Sequence, residues 1–187
     1  MGVFFLLRKS EFLSSDNKLQ KYALRWKDIQ FLTEKGSCAS NVEEAWLIRI
    51  ILRGSKTDQY GKGEIRQLTK SGSSWFCPVR AAWALQEHAQ SISASKEDSI
   101  CTISKDTTLN SKEVARAIKA AVKSMGKDPG KYSAHSLRSG GATAMFVKGI
   151  DHSAIKLFGR WKSNCFERYT RLDEGVIENI TTSLANH

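Results

Sequence analysis

The stretch HSLRSGG carries the first residues whose types and spacing could do chemistry. His135 precedes Arg138 by three positions, so a helix that begins near Ser133 or Ser136 would place the two side chains on one face, a turn apart. The free N–H groups at a helix start add a partial positive charge. This arrangement favours binding of an anion, above all a phosphate, although an H-x-x-R pattern taken alone also occurs by accident.

Two glycines follow this pair directly. In a helix interior, Gly140 and Gly141 would each cost about 1 kcal/mol relative to alanine. The pattern therefore predicts close packing at this point, either by another part of the backbone or by a nucleic-acid strand.

Two aromatic residues further along could complete a site. Trp161 follows Gly159 and Arg160, and a tryptophan in such a place is ordinarily a packed aromatic whose indole N–H needs a partner. Tyr169 lies in a short polar segment that we expect to be helical and partly exposed. Each residue alone is weak evidence for catalysis, and their order along the chain is the stronger signal.

The ordered set resembles the C-terminal motif of the tyrosine recombinase (phage integrase) family, in which H-x-x-R is followed by G-x-W and then by a tyrosine. Upstream phrases extend the resemblance over essentially the whole chain. LLRKSEFL supplies Arg8 and Glu11 in the family's L-R-x-x-E pattern, and RGSKTDQYGKG supplies Lys56 in a hairpin, with Lys62 as the alternative. These phrases, with CPVRA and GRWKSNCFERY, look most like integrases of Crypton-type eukaryotic mobile elements.

The resemblance implies a site-specific recombinase that cuts and rejoins DNA. The phenol of Tyr169 would attack a phosphodiester and give a 3′-phosphotyrosine and a free 5′-hydroxyl, with no metal and no other cofactor. The pentavalent phosphorane concentrates negative charge on its oxygens, and planar guanidinium groups suit that charge. The resemblance assigns Arg8 and Arg138 as the two arginines that hold the phosphate oxygens.

The remaining roles also come from the resemblance. His135 would hydrogen-bond the phosphate and help manage the proton of the tyrosine, and Trp161 would donate its indole N–H to a phosphate oxygen. Lys56 would protonate the departing 5′ oxygen. Glu11 would not contact the phosphate but would orient the neighbouring residues that do.

The composition agrees with a partner that carries negative charge. The chain has 187 residues, a hydrophobic fraction of 41% and a net charge of +10, which suit one soluble folded domain. Such a charge favours nucleic acid first and an acidic membrane surface second, and a well-solvated surface is the plainer alternative. The resemblance makes the partner double-stranded DNA, bound by a homotetramer, with a monomer left open for the free protein.

The sequence has neither an apolar run typical of a membrane span nor the pattern of a signal peptide, and this determines the expected compartment. No apolar run approaches the length of a membrane span, and the start MGVFFLLRKSEF lacks the layout of a signal peptide. We expect an intracellular protein, nuclear if its source is eukaryotic and otherwise cytoplasmic. The four cysteines form no CxxC pair, which argues against a zinc site and predicts reduced thiols at Cys38, Cys77, Cys101 and Cys165.

The residue pattern predicts an α+β fold, mostly helical with a small three-stranded antiparallel sheet. Residues 3–13 have the apolar band of a helix end, and ALRWKDIQF, EEAWLIRIILR and EIRQL have the composition of strands. Helices are expected after Pro78, after a capping Ser111, as two or three short pieces from HSLRSGG onward, and in the amphipathic tail 173–187. The helix after Ser111 is expected to bury Val114, Ala117, Ile118 and Ala121.

We expect one catalytic domain over residues 1–187. Members of the family usually carry an N-terminal DNA-clamping domain, which we expect to be absent here. They often exchange the C-terminal helix between protomers, which makes 173–187 a candidate exchange element; the plainer alternative is that this tail folds back on its own domain. Two alternatives keep the fold and change the function: a non-catalytic DNA-binding module and a type IB topoisomerase. A histidine usually takes the place of Trp161 in the topoisomerases, so the tryptophan favours the recombinase.

Overall fold

The computed structural model describes residues 1–15, 18–54, 63–105, 107–163 and 167. Its strands and helices are, in chain order, β1 (Ile29–Leu32), β2 (Leu47–Leu52), β3 (Glu64–Thr69), α1 (Pro78–Ser91), β4 (Thr102–Ser104), β5 (Thr107–Thr108), α2 (Ser111–Ser124), α3 (Ser136–Val147) and α4 (His152–Gly159). Short 3-10 turns lie at Lys9–Glu11, Trp26–Asp28 and Pro129–Lys131. The predicted α+β class is confirmed.

Strands β1, β2 and β3 form the predicted antiparallel sheet, in that order. Ile50 at the centre of β2 pairs with Ile29 on one side and with Arg66 on the other. Alternate residues of β2 are buried, namely Ile48, Ile50 and Leu52. Because a slip of one residue would turn these side chains to the other face, burial fixes the register.

Strand β1 begins later than the sequence pattern predicts. The residues Trp26–Asp28 within ALRWKDIQF form a 3-10 turn, because the Asp28 carboxylate accepts the backbone N–H of Arg25 at 2.9 Å and closes it. Extended backbone starts only at Ile29.

Helix α1 packs against the sheet. Pro78 opens the helix as predicted, at a position where its missing N–H costs nothing. Trp83 meets Phe31 of β1 edge to face, with ring centroids 4.8 Å apart, and Val79 is fully buried. The helix thereby covers the apolar face of the strands.

The predicted cap of α2 is wrong by one residue. Asn110, rather than Ser111, is the N-cap, and its side chain accepts the N–H of Lys112 at 2.8 Å. The Glu113 carboxylate accepts the N–H of Asn110 at 2.8 Å and completes a capping box.

The predicted buried stripe of α2 is partly wrong. Ala117 and Ala121 are exposed. The covered side runs instead through Val114, Ile118 and Val122, of which Val122 is buried and the other two are half-buried. The larger side chains therefore take the inner positions, at the same helical spacing.

The helix expected over residues 3–13 is also wrong. Residues 2–6 form turns, in which the N–H of Leu7 donates to the carbonyl of Gly2 at 3.2 Å, and the 3-10 turn Lys9–Glu11 follows. Leu6 has a φ of 47°, which interrupts any right-handed helix. The apolar side chains that suggested a helix are buried along this irregular path, at Phe5, Leu6, Leu7, Phe12 and Leu13.

The described residues divide into two compact units. The first comprises Met1 and Arg8–Ala134, with the sheet, α1 and α2. The second comprises Gly2–Leu7 and the chain from His135 onward, with α3 and α4, which confirms two short helices in this region. The core of the second unit is Leu6, Ala142 and Ile155, with Met145, Phe146, Phe158 and Trp161 packed against it.

Among the helices that the structure describes, none is both long and apolar enough to cross a membrane. Cys38, Cys77 and Cys101 are free thiols, as predicted, and Cys165 lies outside the described residues. Burial raises the pKa of the Cys101 thiol to about 11.

Candidate active site

Arg8 and Glu11 form a close pair in the first unit. The guanidinium of Arg8 donates from Nη1 to Oε1 of Glu11 at 3.0 Å, and the backbone N–H of Arg8 donates to Oε2 at 2.7 Å. The Glu11 side chain is 5% exposed, and that of Arg8 is 25% exposed. The carboxylate therefore holds both the backbone and the side chain of Arg8 in place.

The strand end that leads to Lys56 is anchored by Arg53. The Nε of Arg53 lies 3.0 and 3.1 Å from the two carboxylate oxygens of the buried Asp28, and its Nη2 donates to the carbonyl of Ala23 at 2.9 Å. Lys56 itself lies outside the described residues. The structure thus shows how Arg53, the residue three positions before Lys56, is fixed.

The next residue, Gly54, is held against an aromatic ring. A Cβ at this position would lie 2.9 Å from Cε1 of Tyr22. Tyr22 therefore leaves room only for a glycine beside the anchored arginine. The second lysine candidate, Lys62, also lies outside the described residues.

Helix α3 begins where the H-x-x-R pattern predicts. His135 is its N-cap residue, and the carbonyl of His135 accepts the N–H of Arg138 at 3.1 Å. The two side chains differ in burial, since His135 is exposed and Arg138 is only 2% exposed. One member of the pair faces solvent, and the other is enclosed within the second unit.

Two contacts hold the guanidinium of Arg138, a hydrogen bond at one edge of the group and an aromatic ring against its face. Its Nη2 donates to the carbonyl of Gly159, and its Cζ lies 4.3 Å from the centroid of the Trp161 ring. A cation over an aromatic face gains about 2 kcal/mol when the pair is desolvated. These contacts explain how an arginine, a residue rarely buried without a partner, is kept inside the unit.

A tight turn at the end of α4 carries Trp161 back over Arg138. Arg160 follows the helix in the left-handed conformation, with φ 59° and ψ 43°. Its N–H donates to the carbonyl of Leu157, and the N–H of Trp161 donates to the carbonyl of Lys156, both at 3.1 Å. This paired closure is a Schellman motif, and it turns the chain sharply at the helix end.

Asp151 fixes the other end of α4. Its carboxylate accepts the backbone N–H groups of Ser153 and Ala154, at 2.8 and 3.3 Å. These hydrogen bonds hold the pKa of the Asp151 carboxyl below its ordinary value. The helix that presents Gly159 and Trp161 is therefore capped at both termini.

The two glycines of α3 have different environments. A Cβ on Gly141 would lie 2.6 Å from Cδ2 of Leu6 and closer still to the carbonyl oxygen of Val3. The predicted close approach of another backbone is thus confirmed at Gly141. A Cβ on Gly140 would meet nothing within 4 Å, so packing in the described residues does not require that glycine.

The structure brings the predicted site residues into two groups. Arg8 and Glu11 are paired in the first unit, and His135, Arg138 and Trp161 lie together in the second. The predicted nucleophile, Tyr169, and the tail 173–187 fall outside the described residues.

Sequence reasoning missed Gly159 and the Arg53–Asp28 pair. The G-x-W pattern includes Gly159 but does not indicate its contacts with both Arg138 and Trp161. A glycine at a helix end two residues before a bulky aromatic was the available signal. No sequence signal links Asp28 to Arg53, because their pairing depends on the sheet register.

Comparison with known proteins shows what this chain is similar to. A family model described as the phage integrase family matches residues 22–175. No curated protein sequence matches the chain.

Solved structures of recombinases share its fold. The pre-cleavage complex of XerH site-specific recombinase bound to difH substrate is 18% identical in sequence, with a TM-score of 0.60. The post-cleavage complex of XerH with palindromic difH substrate is 19% identical with a TM-score of 0.62, and XerA recombinase is 17% identical with a TM-score of 0.60. Each similarity covers 97% of this chain but 44%, 43% and 53% of those chains, so this chain spans about half their length.

Proposed function

The chain belongs to the phage integrase family, and from this premise we propose that it is a site-specific recombinase that cuts and rejoins double-stranded DNA through a 3′-phosphotyrosine intermediate. The family, a fold that matches recombinase catalytic domains and the ordered site residues support the proposal. The observation that carries it is the held guanidinium of Arg138 beneath Trp161. A buried, fixed cation of this kind is suited to a transition state that gains negative charge.

The proposed reaction conserves the number of phosphoester bonds. The phenolic oxygen of Tyr169 forms a bond to phosphorus, and the bond from phosphorus to the 5′ oxygen breaks. The phenol loses its proton and the departing oxygen gains one. Attack by a 5′-hydroxyl on the phosphotyrosine reverses these steps and joins the strands, so the reaction requires no external energy source.

The arginines would bind the phosphate as it becomes pentavalent. A phenol with a pKa near 10 is a weak nucleophile at neutral pH, so charge stabilisation at the phosphate must lower the barrier. Arg138 is fixed by Gly159 and Trp161, and Arg8 is fixed by Glu11, so neither needs to reorganise when the charge develops. A preorganised donor of this type contributes about 10²–10³-fold to a rate.

The other side chains would handle protons and orientation. His135, which is exposed at the start of α3, would hydrogen-bond the phosphate and help take the phenol proton. Trp161 would add its indole N–H as a donor. Lys56, with Lys62 as the alternative, would protonate the departing 5′ oxygen, and the Arg53 anchor would set the entry of that segment.

The proposal also covers the lineage of the protein, its partner, its assembly and its location. The phrases quoted above support a Crypton-type lineage, and the net charge of +10 supports a polyanionic partner. We propose assembly as a homotetramer on DNA, with residues 173–187 as the element exchanged between protomers. A nuclear location in a eukaryotic source, and a cytoplasmic one otherwise, would place the protein with its DNA.

Covalent capture tests the proposal without knowledge of the target site. The protein is incubated with nicked duplexes whose central sequence is randomised, and protein–DNA adducts that survive denaturing detergent are collected and sequenced. We expect an adduct with the wild type, mapped by peptide mass spectrometry to Tyr169, and none with Tyr169→Phe. Tyr132→Phe, at a half-buried tyrosine outside the proposed machinery, is the matched control and should form the adduct.

The same experiment separates the alternative functions. Salt-sensitive binding of the duplexes without any adduct, unaffected by Tyr169→Phe, would identify a non-catalytic DNA-binding module. Relaxation of supercoiled plasmid without joining of strands from two molecules would identify a topoisomerase. Either result would contradict the recombinase.

A further inference from the structure

Gly159 contacts both Arg138 and Trp161, but through different atoms. Its carbonyl oxygen accepts a hydrogen bond from Nη2 of Arg138, which any residue at this position could do. Its α-carbon faces the six-membered ring of Trp161. A Cβ there would lie 2.5 Å from Cη2 of that ring and closer still to Cε3 and Cζ3, so only glycine fits beneath the indole.

The indole is restrained by contacts besides Gly159. The Arg138 guanidinium lies over the ring, and the ring also packs against the core of Leu6, Ala142 and Ile155. The Schellman turn at Arg160 fixes where the tryptophan backbone leaves α4. A side chain at position 159 would therefore have to displace the ring from these contacts.

We infer that Gly159 is a positioning residue, which holds Arg138 and Trp161 in one mutual arrangement. Its carbonyl fixes an edge of the guanidinium, and its bare α-carbon sets how closely the indole approaches. The catalytic consequence of this inference rests on the proposed function, whereas the structural consequence does not. A displaced indole would leave the guanidinium face, and with it the geometry on which phosphate binding would depend.

Four variants of the full chain separate these effects. Gly159→Ala introduces the Cβ, and Trp161→His removes Cε3, Cζ3 and Cη2 while keeping an N–H donor in the ring. The double variant combines the two changes. Gly140→Ala is the matched control, since it also adds a methyl group to a helical glycine but meets nothing within 4 Å.

Two measurements test the arrangement without any DNA. The first is fluorine NMR of protein labelled with 7-fluorotryptophan, whose fluorine lies on Cζ2, away from the atoms nearest Gly159; the Trp161 signal is the one missing in Trp161→His. We expect Gly159→Ala to shift this signal more than that of any other tryptophan, and Gly140→Ala to leave it in place. The second is the melting temperature, which Gly159→Ala should lower strongly in the wild type and little in Trp161→His.

A third measurement, the rate of covalent adduct formation on the captured duplexes, tests the catalytic consequence. Gly159→Ala should slow it by about 10²-fold, the scale expected when a catalytic group is misplaced by about 1 Å.

An unmoved Trp161 signal, or equal losses of melting temperature in the wild-type and Trp161→His backgrounds, would overturn the inference. If Gly159→Ala fails to fold alone, a double variant that melts like Trp161→His supports the inference, and one that remains unfolded overturns it.

The proposed function and this inference can fail separately. A shifted signal and a background-dependent melting temperature, together with no adduct from the wild type, would support the positioning role and overturn the recombinase. An active wild type whose Gly159→Ala variant cleaves at the same rate would overturn the catalytic consequence and leave the recombinase standing.

Discussion

The guanidinium carbon of Arg138 lies 4.3 Å from the centroid of the Trp161 ring, although 22 residues separate the two in the chain, from 139 to 160. The pair joins the first turn of α3 to the turn that ends α4. The indole contact and the hydrogen bond to Gly159 together hold this buried guanidinium in one position.

Replacement of Arg138 by lysine should abolish most catalysis while keeping the charge. Lysine has no planar fork, so it cannot keep the Gly159 hydrogen bond and the ring contact together. We expect adduct formation to slow by about 10²–10³-fold. Arg80→Lys, at an exposed arginine that only approaches Glu43 at 3.4 Å, should leave the rate unchanged.

The two glycines of α3 should respond in opposite directions to alanine. Gly141→Ala would press a methyl group against Leu6 and the Val3 carbonyl, and overpacking of this kind costs about 1–3 kcal/mol. Gly140→Ala gains helix propensity in open space and should stabilise by about 0.5–1 kcal/mol. Urea unfolding measures both, and a stabilised Gly141→Ala would contradict the backbone contact.

Loss of the Asp28 carboxylate should destabilise the fold at the end of β2, the strand that leads to Lys56. Asp28→Ala removes the partner of Arg53 and of the Arg25 N–H, and we expect a loss of about 2–4 kcal/mol. The figure stays below that for a fully buried pair because the Arg53 side chain is 30% exposed. Asp28→Asn keeps an acceptor for the Arg25 N–H and should lose less. Urea unfolding measures both variants, and an Asp28→Asn variant as stable as the wild type would show that the ion pair contributes nothing.

The capping box of α2 gives a simple stability test. Asn110→Ala removes the acceptor for the Lys112 N–H and should cost about 1 kcal/mol. Asn110→Asp retains the acceptor and should unfold at nearly the wild-type urea concentration. Because Ser111 is the first helical residue rather than the cap, Ser111→Ala should have a much smaller effect than Asn110→Ala.

The cap of α4 should make stability depend on pH. Hydrogen bonds from Ser153 and Ala154 lower the pKa of Asp151 in the folded chain, so its stabilising effect is present above the unfolded pKa and is lost as the pH falls through the folded pKa. Asp151→Ala should therefore lower the melting temperature clearly at about pH 6 and much less at about pH 2.5. A difference from wild type that does not change between these pH values would contradict the cap.

Local signals in the sequence predicted those elements whose causes are local. Pro78 marks the start of α1, alternating apolar residues mark β2, and the H-x-x-R pattern marks the start of α3. The sequence places the cap of α2 one residue too late, because Asn110 and Ser111 are adjacent and both residue types can cap, so only the hydrogen bonds distinguish them.

Features set by distant residues could not be read from the sequence. Gly140 and Gly141 look alike in the chain, and only the approach of Val3 shows which of them packing requires. The apolar residues 3–13 suggest a helix, yet Leu6 has a φ of 47° and contributes to a core formed with the distant Ala142 and Ile155. For the same reason the sequence does not show that Trp161 folds back onto Gly159 through the turn at Arg160.

The segment Gly2–Leu7 has a consequence for how the protein can be made. It completes the core of a unit whose other residues start at His135, so residues 2–7 cannot be buried in that core until the residues from His135 onward have been synthesised. A polypeptide started at His135 would lack Leu6 and expose Ala142 and Ile155. To produce this unit alone, residues 2–7 would have to be joined to it through a linker, as in a circular permutation.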